Sequence, residues 1–435
     1  MTLADAQALV ATGRLLAAER LLRARLGPRA PSPRDPRTAG GTRADEDAEA
    51  RALLGAVLQL RGHPAAAVAE YEAALGAWPD DADLRSNLAH ALLEAGRGEV
   101  GLELLRAAPS AAAGRASDAA RAPHPRLQAA EGALLLALDR LAEARDLLRP
   151  LTASGRTDDM AWVNLAIAER GLGAPERALA ALREACDIDP DNARAVAERI
   201  EVLIGLGRTD EACALADGFL EAHPGDGQVL AACALALWAA GRDDEAAAIA
   251  DPPRMVGVHD HGDSVLTASL RTELVALLRD DPAARDDPSG KATRGGRQTG
   301  ELDPASHPAL LALESLLTDL LDAGSRGGAE LRMWGTLLPP GGMQRPHNHP
   351  LGHASGVVYL ELPPDMQAED PAAGALEFGR PPARVALPRP LPTHVVTPLP
   401  GRIVLFPSHL WHATRPFTAP GLRASIAFDA VFPGE

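Results

Sequence analysis

A short element, Gly-x-x-x-x-Ala, recurs through the first 250 residues of this 435-residue chain, at Gly13 and Ala18, Gly62 and Ala67, Gly173 and Ala178, Gly207 and Ala212, and Gly241 and Ala246. The last three alanines stand 34 residues apart, and another step back reaches Ala144, in Asp139-Arg-Leu-Ala-Glu-Ala. Ala67 plus the same step reaches Gly101. A fixed period of this length, with two apolar helical stretches per unit, restricts the chain to a stacked helical array, because one unit alone cannot bury its apolar face.

The units resemble tetratricopeptide repeats in detail. In residues 48–81 the signature positions hold Leu54-Gly55, Ala67, Tyr71, Ala74 and Pro79; in residues 159–192 they hold Trp162, Leu165-Ala166, Ala178, Ala185 and Pro190. Small Gly and Ala let the two helices of a unit approach closely, while larger residues fill the space between units. Pro190 and Pro224, also 34 apart, end second helices because proline cannot continue one. Six or seven units are expected over residues 1–250, with Tyr71, Trp162 and Trp238 packing between helices. Two stretches, 27–47 and 107–126, are rich in Pro, Gly, Ala, Ser and Arg without apolar periodicity, and are expected as loops or disordered inserts. No catalytic constellation precedes residue 250. The array alone implies a concave surface for a protein or peptide partner.

With 46% apolar and 23% charged residues, a chain of this length is expected to fold as two or three soluble domains. Its net charge of −16 argues against a nucleic-acid partner, which needs clustered Lys and Arg. The N-terminus lacks a secretory pattern, and the longest apolar stretches fall short of the ~20 residues that span a bilayer, so no membrane association and a cytoplasmic location are expected. Cys186, Cys213 and Cys233 fit neither a disulfide framework nor a zinc spacing, and read as buried reduced thiols.

Beyond residue 250 the period stops. Residues 263–278 and 308–323 read as two amphipathic helices separated by a polar, glycine-rich stretch containing Thr293-Arg-Gly-Gly-Arg-Gln-Thr299. Residues 331–338, 355–362, 375–378, 394–398, 402–406, 409–416 and 422–432 read as short strands, a pattern that indicates a barrel or sandwich. The division is thus a repeat array (1–250), a helical lead-in (251–330) and a β core (331–435).

Alternation in the last strand puts Arg423, Ser425 and Ala427 on one face and Leu422, Ala424, Ile426 and Phe428 on the other. If the apolar set packs on the outer helices, Arg423 faces the interior, where a buried guanidinium needs an anionic partner. A carboxylate gripped by Arg423, with the Ser425 hydroxyl beside it, meets that need. His347 and His349, two apart, project to one side of an extended backbone, and His412 lies on the penultimate strand. If residues 417–421 turn that strand back on itself, Arg423 lies opposite Arg415, roughly 10 Å from the level of His412. A five-carbon diacid could then chelate a metal at one end and meet Arg423 at the other.

Residues 331–433 resemble the 2-oxoglutarate- and Fe(II)-dependent oxygenases of the double-stranded β-helix class, relatives of the prolyl hydroxylases. The resemblance rests on His347-Asn-His-Pro350, Ser355-Gly-Val-Val-Tyr-Leu360, Gly374-Ala-Leu-Glu-Phe378, Pro400-Gly-Arg-Ile-Val-Leu-Phe-Pro-Ser408, His412 and Arg423-Ala-Ser425, with Gly295-Gly-Arg-Gln-Thr299 and Trp334 upstream. It implies a multidomain α + β protein, an all-α tetratricopeptide solenoid followed by a jelly-roll β-helix with flanking helices. It further implies a dioxygenase using Fe(II), 2-oxoglutarate and O2 to hydroxylate a substrate, with His347 and His412 as metal ligands and Arg423 with Ser425 on the co-substrate. Tyr359 either donates a hydrogen bond to the co-substrate or fills the barrel core.

One position departs from that class. Where it carries Asp or Glu, this chain has His349. Three arrangements are open: His349 serves as a third imidazole ligand, the reading favoured here; a carboxylate comes from Glu377 or Glu361; or two protein ligands suffice. His259-Asp-His261 shares the two-apart spacing but has no Arg-x-Ser companion, and His353 and His409 are read as surface residues unless they line the site. Three function classes follow: an oxygenase whose repeats recruit a protein or peptide, an oxygenase on a small molecule, and a non-catalytic scaffold or sensor with a degenerate metal site.

Overall fold

The computed structural model describes residues 2–27, 42–107, 124–155, 157–261, 265–322, 328–350, 352–368 and 370–432. By contact the chain falls into two compact units, Met1–Ala174 and Pro175–Glu435. Residues 175–250 of the expected repeat array therefore lie in the same unit as the β-sheets.

The first unit is helical: α1 (Leu3–Ala11), α2 (Leu15–Leu26), α3 (Thr42–Leu60), α4 (Pro64–Ala77), α5 (Ala82–Glu94), α6 (Gly98–Arg106), α7 (Pro125–Ala137), α8 (Leu141–Ala153) and α9 (Asp159–Gly171). The second unit opens with α10 (Pro175–Ile188), α11 (Ala193–Gly205), α12 (Thr209–Ala222), α13 (Gly227–Ala239), α14 (Asp243–Ile249) and α15 (Pro252–Met255). The recurring element divides its labour differently from the sequence expectation. Its glycines are turn residues: Gly13, Gly62, Gly96, Gly173, Gly207 and Gly241 have φ between 73° and 78°, and a Cβ at any of them would meet nothing within 4 Å. The alanines do the close packing, Ala18, Ala67, Ala144, Ala178 and Ala212 being fully buried. At Gly101, the equivalent of those alanines, a Cβ would lie 2.8 Å from the Ala89 carbonyl oxygen. Gly55 is a true packing glycine, with the Tyr71 ring 2.8 Å from where its Cβ would be.

Caps repeat with the same period. Asp158, Asn192 and Asp226 accept from the amides of Ala161, Ala195 and Val229, starting α9, α11 and α13; each such cap contributes about 1 kcal/mol. Of the two expected inserts, residues 28–41 and 108–123 lie outside the described residues, while α3 already begins at Thr42 and α7 at Pro125. The three cysteines are free thiols, Cys213 and Cys233 buried and Cys186 half-buried; burial pushes the Cys233 thiol up to about 11. No described helix is long and apolar enough to cross a membrane.

The rest of the second unit comprises β1 (Gly257–Asp260), α16 (Ala268–Asp280), β2 (Arg285–Asp286), β3 (Thr293–Arg294), β4 (Arg297–Glu301), α17 (Pro308–Asp322), β5 (Glu330–Leu338), β6 (Met343–His347), β7 (Ala354–Glu361), β8 (Leu376–Phe378), β9 (His394–Val396), β10 (Arg402–Pro407), β11 (His412–Thr414) and β12 (Arg423–Val431). Two antiparallel sheets form, ordered β1-β10-β7-β12-β5-β4-β2 and β3-β6-β11-β8-β9. Residues 251–330, expected as a helical lead-in, thus also supply four strands. These are too short to show alternation and exist because longer strands pair with them.

Alternation along β12 works as expected. Ala424, Ile426 and Phe428 join Leu274, Leu278, Leu313 and Leu317 of α16 and α17 in one core, each fully buried large side chain contributing about 1.5–3 kcal/mol. The opposite face looks toward a second core between the sheets, containing Val357, Tyr359, Leu376, Phe378, Val404 and Phe406. The expected hairpin between the last two strands does not form. β11 pairs with β6 and β8, whereas β12 pairs with β5 and β7. Pro416 and Pro420 have no N–H to continue the ladder, so the chain crosses to the other sheet instead of folding back.

The repeat helices of this unit are tied to the sheets by specific contacts. Arg384 grips Glu201 of α11 bidentately at 2.9 and 3.0 Å. The Arg389 guanidinium lies 3.7 Å over the Trp238 ring of α13, so Trp238, expected as a residue between repeat helices, is partly a platform for the β region.

Candidate metal centre

Pairing of β6 with β11 sets His347 directly opposite His412. His349 lies two residues beyond His347, its amide donating to the Ser408 carbonyl at 2.9 Å, which folds the loop inward. The three rings converge, with centroids 4.2 Å apart for His347 and His412, 5.0 Å for His347 and His349, and 5.1 Å for His349 and His412. One nitrogen from each lies within 4.8 Å of the other two, a spacing that suits one shared ion.

The outer nitrogens are all engaged. His347 Nδ1 lies 2.7 Å from the Arg345 carbonyl, His412 Nδ1 2.9 Å from the Leu410 carbonyl, and His349 Nδ1 3.1 Å from Asp429 Oδ2. A carbonyl can only accept, so Nδ1 of His347 and of His412 carries the proton and Nε2 keeps its lone pair. Burial, then the neighbouring His349, pushes His347 down to about 3. His412, only 4% exposed, is lowered by burial and by the other two imidazoles. These two rings are neutral at pH 7, the form that binds metal.

Both alternative carboxylates weighed above are engaged elsewhere. Glu377 is held by Arg415 at 2.7 Å and Arg380 at 3.0 Å, and Glu361 by Arg279 at 3.0 Å. Among the described residues the carboxylate that contacts the three histidines, 3.1 Å from His349, is Asp429, which the sequence reading passed over. The signal was present: alternation carries Arg423, Ser425 and Ala427 on to Asp429. Ser355 Oγ donates to Asp429 Oδ1 at 2.6 Å, and Trp334 stacks on His349 at 5.5 Å.

Further along the same face lies a second polar group. Arg423, 1% exposed, donates from Nε to the Gly374 carbonyl at 3.0 Å and from Nη1 to Ser425 Oγ at 3.3 Å. It has no carboxylate partner among the described residues, and its Cζ lies 5.0 Å from the Tyr359 ring. Burial lowers its affinity for a proton, partly offset by Tyr359, yet a guanidinium does not deprotonate in proteins, so an uncompensated charge remains. Ser425 is flanked in register by Thr336 on β5 and Tyr359 on β7. The Thr336 and Tyr359 hydroxyls are buried without a hydrogen-bond partner among the described residues. Thr336 is the other residue that sequence reading missed, since its role depends on strand pairing.

The remaining histidines serve other purposes. His353 Nδ1 accepts from the Phe432 amide at 3.2 Å, and His409 Nε2 donates to the Ile249 carbonyl at 2.8 Å. His259 and His261 stack at 6.4 Å, and among the described residues only His347, His349 and His412 group as a metal site.

Comparison with known proteins agrees with this architecture. Residues 332–429 match the family model described as "Putative 2OG-Fe(II) oxygenase", and residues 58–122, 129–193 and 170–235 match tetratricopeptide repeat models. No curated protein matches the chain. Among solved structures, a prolyl-4-hydroxylase of Pseudomonas putida is 23% identical, covering 42% of this chain and 96% of its own with a TM-score of 0.32. A thermophilic tetratricopeptide protein of Thermus thermophilus is also 23% identical, covering 44% of this chain and 99% of its own with a TM-score of 0.37. A prolyl hydroxylase of Trichoplax adhaerens, in complex with a hypoxia inducible factor peptide fragment, is 16% identical, covering 41% and 83% with a TM-score of 0.32. The chain thus carries tetratricopeptide repeats ahead of a C-terminal domain of the 2OG-Fe(II) oxygenase family.

Proposed function

We propose that this protein is an Fe(II)- and 2-oxoglutarate-dependent oxygenase that hydroxylates a protein or peptide segment recruited by its repeats. In this reading residues 1–250 recruit, 251–330 support and 331–435 carry the reaction. The observation behind it is that one sheet, with the loop after β6, brings three imidazoles within reach of a single ion, while β12 of the other sheet carries a buried guanidinium that has no carboxylate partner among the described residues. The donor set fits the expected groups: neutral imidazole nitrogens suit ferrous iron, and Arg423 with two orphaned hydroxyls suits a carboxylate.

Iron held there would supply the oxidation of a C–H bond by O2, with 2-oxoglutarate converted to succinate and CO2. The chain's own part is placement. His347, His349 and His412 present nitrogen lone pairs from a strand pair and a folded loop. Arg423 and Ser425 grip the distal carboxylate, and Tyr359 and Thr336, whose hydroxyls flank Ser425, donate to it. Phe378 and Phe406, with ring centroids 6.1 and 4.7 Å from that of His412, exclude water from one side. Three free cysteines suit the reducing cytoplasm, where we place the protein.

Succinate release from 2-oxoglutarate with Fe(II) and oxygen tests the reading. The wild-type chain should form succinate and His412→Ala should not; a wild-type chain that forms none leaves a scaffold or sensor. A chain beginning at Pro175 separates the two oxygenase readings. Retained succinate formation with lost substrate turnover supports recruitment by the repeats of the first unit, while retained turnover confines recruitment to α10–α14 or points to a small-molecule substrate.

A further inference from the structure

We infer that Asp429 is the carboxylate of this centre, acting through His349 instead of touching the metal. The inference rests on the metal reading above and deepens it. His349 Nδ1 lies 3.1 Å from Asp429 Oδ2. An ionised carboxylate only accepts, so Nδ1 bears the proton and the Nε2 lone pair is left for the ion. His347 and His412 are set in the same way, but by backbone carbonyls. Only His349, standing where a carboxylate ligand was expected, is backed by a charged group.

The backing is built, not incidental. Asp429 Oδ1 accepts from Ser355 Oγ at 2.6 Å, Ser355 Oγ lies 2.8 Å from Ser408 Oγ, and the Ser408 carbonyl accepts the His349 amide at 2.9 Å. The path from His349 through Asp429, Ser355 and Ser408 back to His349 closes on itself, joining β12, β7, the residue after β10 and the loop after β6. Trp334 stacks on the same imidazole at 5.5 Å. Asp429 therefore fixes the ring's tautomer and orientation. It also restores the charge balance. Three neutral imidazoles leave a divalent ion at +2, and a carboxylate one residue removed brings the local sum to +1, as a direct ligand would. Asp429 is a positioning residue in this assignment.

Co(II) binding to the full chain under anaerobic conditions, followed by its visible absorption, tests this without turnover. Asp429→Asn, nearly isosteric, should weaken Co(II) affinity roughly 10–100-fold, and Ser355→Ala should weaken it less. In a His349→Ala background the further change Asp429→Asn should cost less than in the wild type, because only the through-space attraction of the carboxylate for the ion remains. Affinity within twofold of wild type in Asp429→Asn, or an undiminished loss in the His349→Ala background, overturns the assignment. The metal reading fails separately: a wild-type chain that takes up no Co(II) sinks both, whereas loss in His412→Ala with unchanged binding in Asp429→Asn sinks the Asp429 role alone.

Discussion

Two buried guanidinium groups, Arg61 in the repeats and Arg423 in the sheet interior, are handled in opposite ways. In the first unit the Arg61 guanidinium, 4% exposed, is paired with Glu19, and the buried Glu169 is paired with Arg149. In the second unit Glu201 is gripped by Arg384. Each of these ions has its counter-ion within the same unit. Arg423 is more deeply buried than Arg61, yet among the described residues it meets a carbonyl, a hydroxyl and the Tyr359 side chain, with no carboxylate. Desolvating a charge costs several kcal/mol and is recovered only through a partner. Arg85 of the repeats also lacks a carboxylate among the described residues, but all three of its nitrogens are taken by the Pro79 and Ala107 carbonyls, whereas Arg423 lies beside two orphaned hydroxyls, an arrangement that would suit a ligand bringing the missing charge.

The sharpest way to break this contrast is to remove one member from each kind of site. Glu19→Gln removes the carboxylate that pairs with the buried Arg61 guanidinium and should cost about 3–5 kcal/mol, read as a lower urea midpoint for the transition of the repeat region. Arg423→Leu should do the reverse to stability. It removes an uncompensated charge, so the thermal midpoint should hold or rise, while 2-oxoglutarate affinity should fall by about 2–5 kcal/mol, at least ~30-fold in Kd. A large loss of stability in Arg423→Leu, with affinity retained, would show that Arg423 is a structural ion like Arg61 and would remove the main support for a co-substrate site.

How much of this was legible in the sequence differed by region for physical reasons. The repeats announce themselves because each unit meets the same neighbours, so the same residue types return every 34 positions. The inward face of β12 was equally legible, since alternation is a local property of extended backbone, and it placed Arg423 and Ser425 together on that buried face. Local rules do not say which strand lies opposite. The neighbours of Ser425 are Thr336 and Tyr359, residues 89 and 66 positions away along the chain, brought alongside by register, and only Tyr359 was picked out in advance. The same blindness produced the hairpin that does not exist and hid β1 to β4, whose short segments are defined by partners. Asp429 needed only two more residues of alternation, but without the fold of the loop carrying His349 nothing linked it to the three histidines.

The smallest effect tests the claim that the repeat glycines are turn residues and not packing residues. Stepping back 34 residues from Gly173 reaches Asp139, and Asp139 has φ 58°, the left-handed conformation of the glycines it replaces. Its side chain is exposed, so a substitution there probes the backbone and little else. Asp tolerates this conformation better than most residues but not as well as Gly, while Gly gains more freedom in the unfolded chain. Asp139→Gly should therefore stabilise the first unit by only about 0.5 kcal/mol, and the reverse change Gly207→Asp should destabilise the second by a similar amount. Both shifts are readable as small displacements of the urea midpoint at constant slope. If the recurring glycines instead let helices touch, Gly207→Asp would force α11 and α12 apart and cost several times more. The absence of any atom within 4 Å of the Cβ position at Gly207 argues for the smaller value.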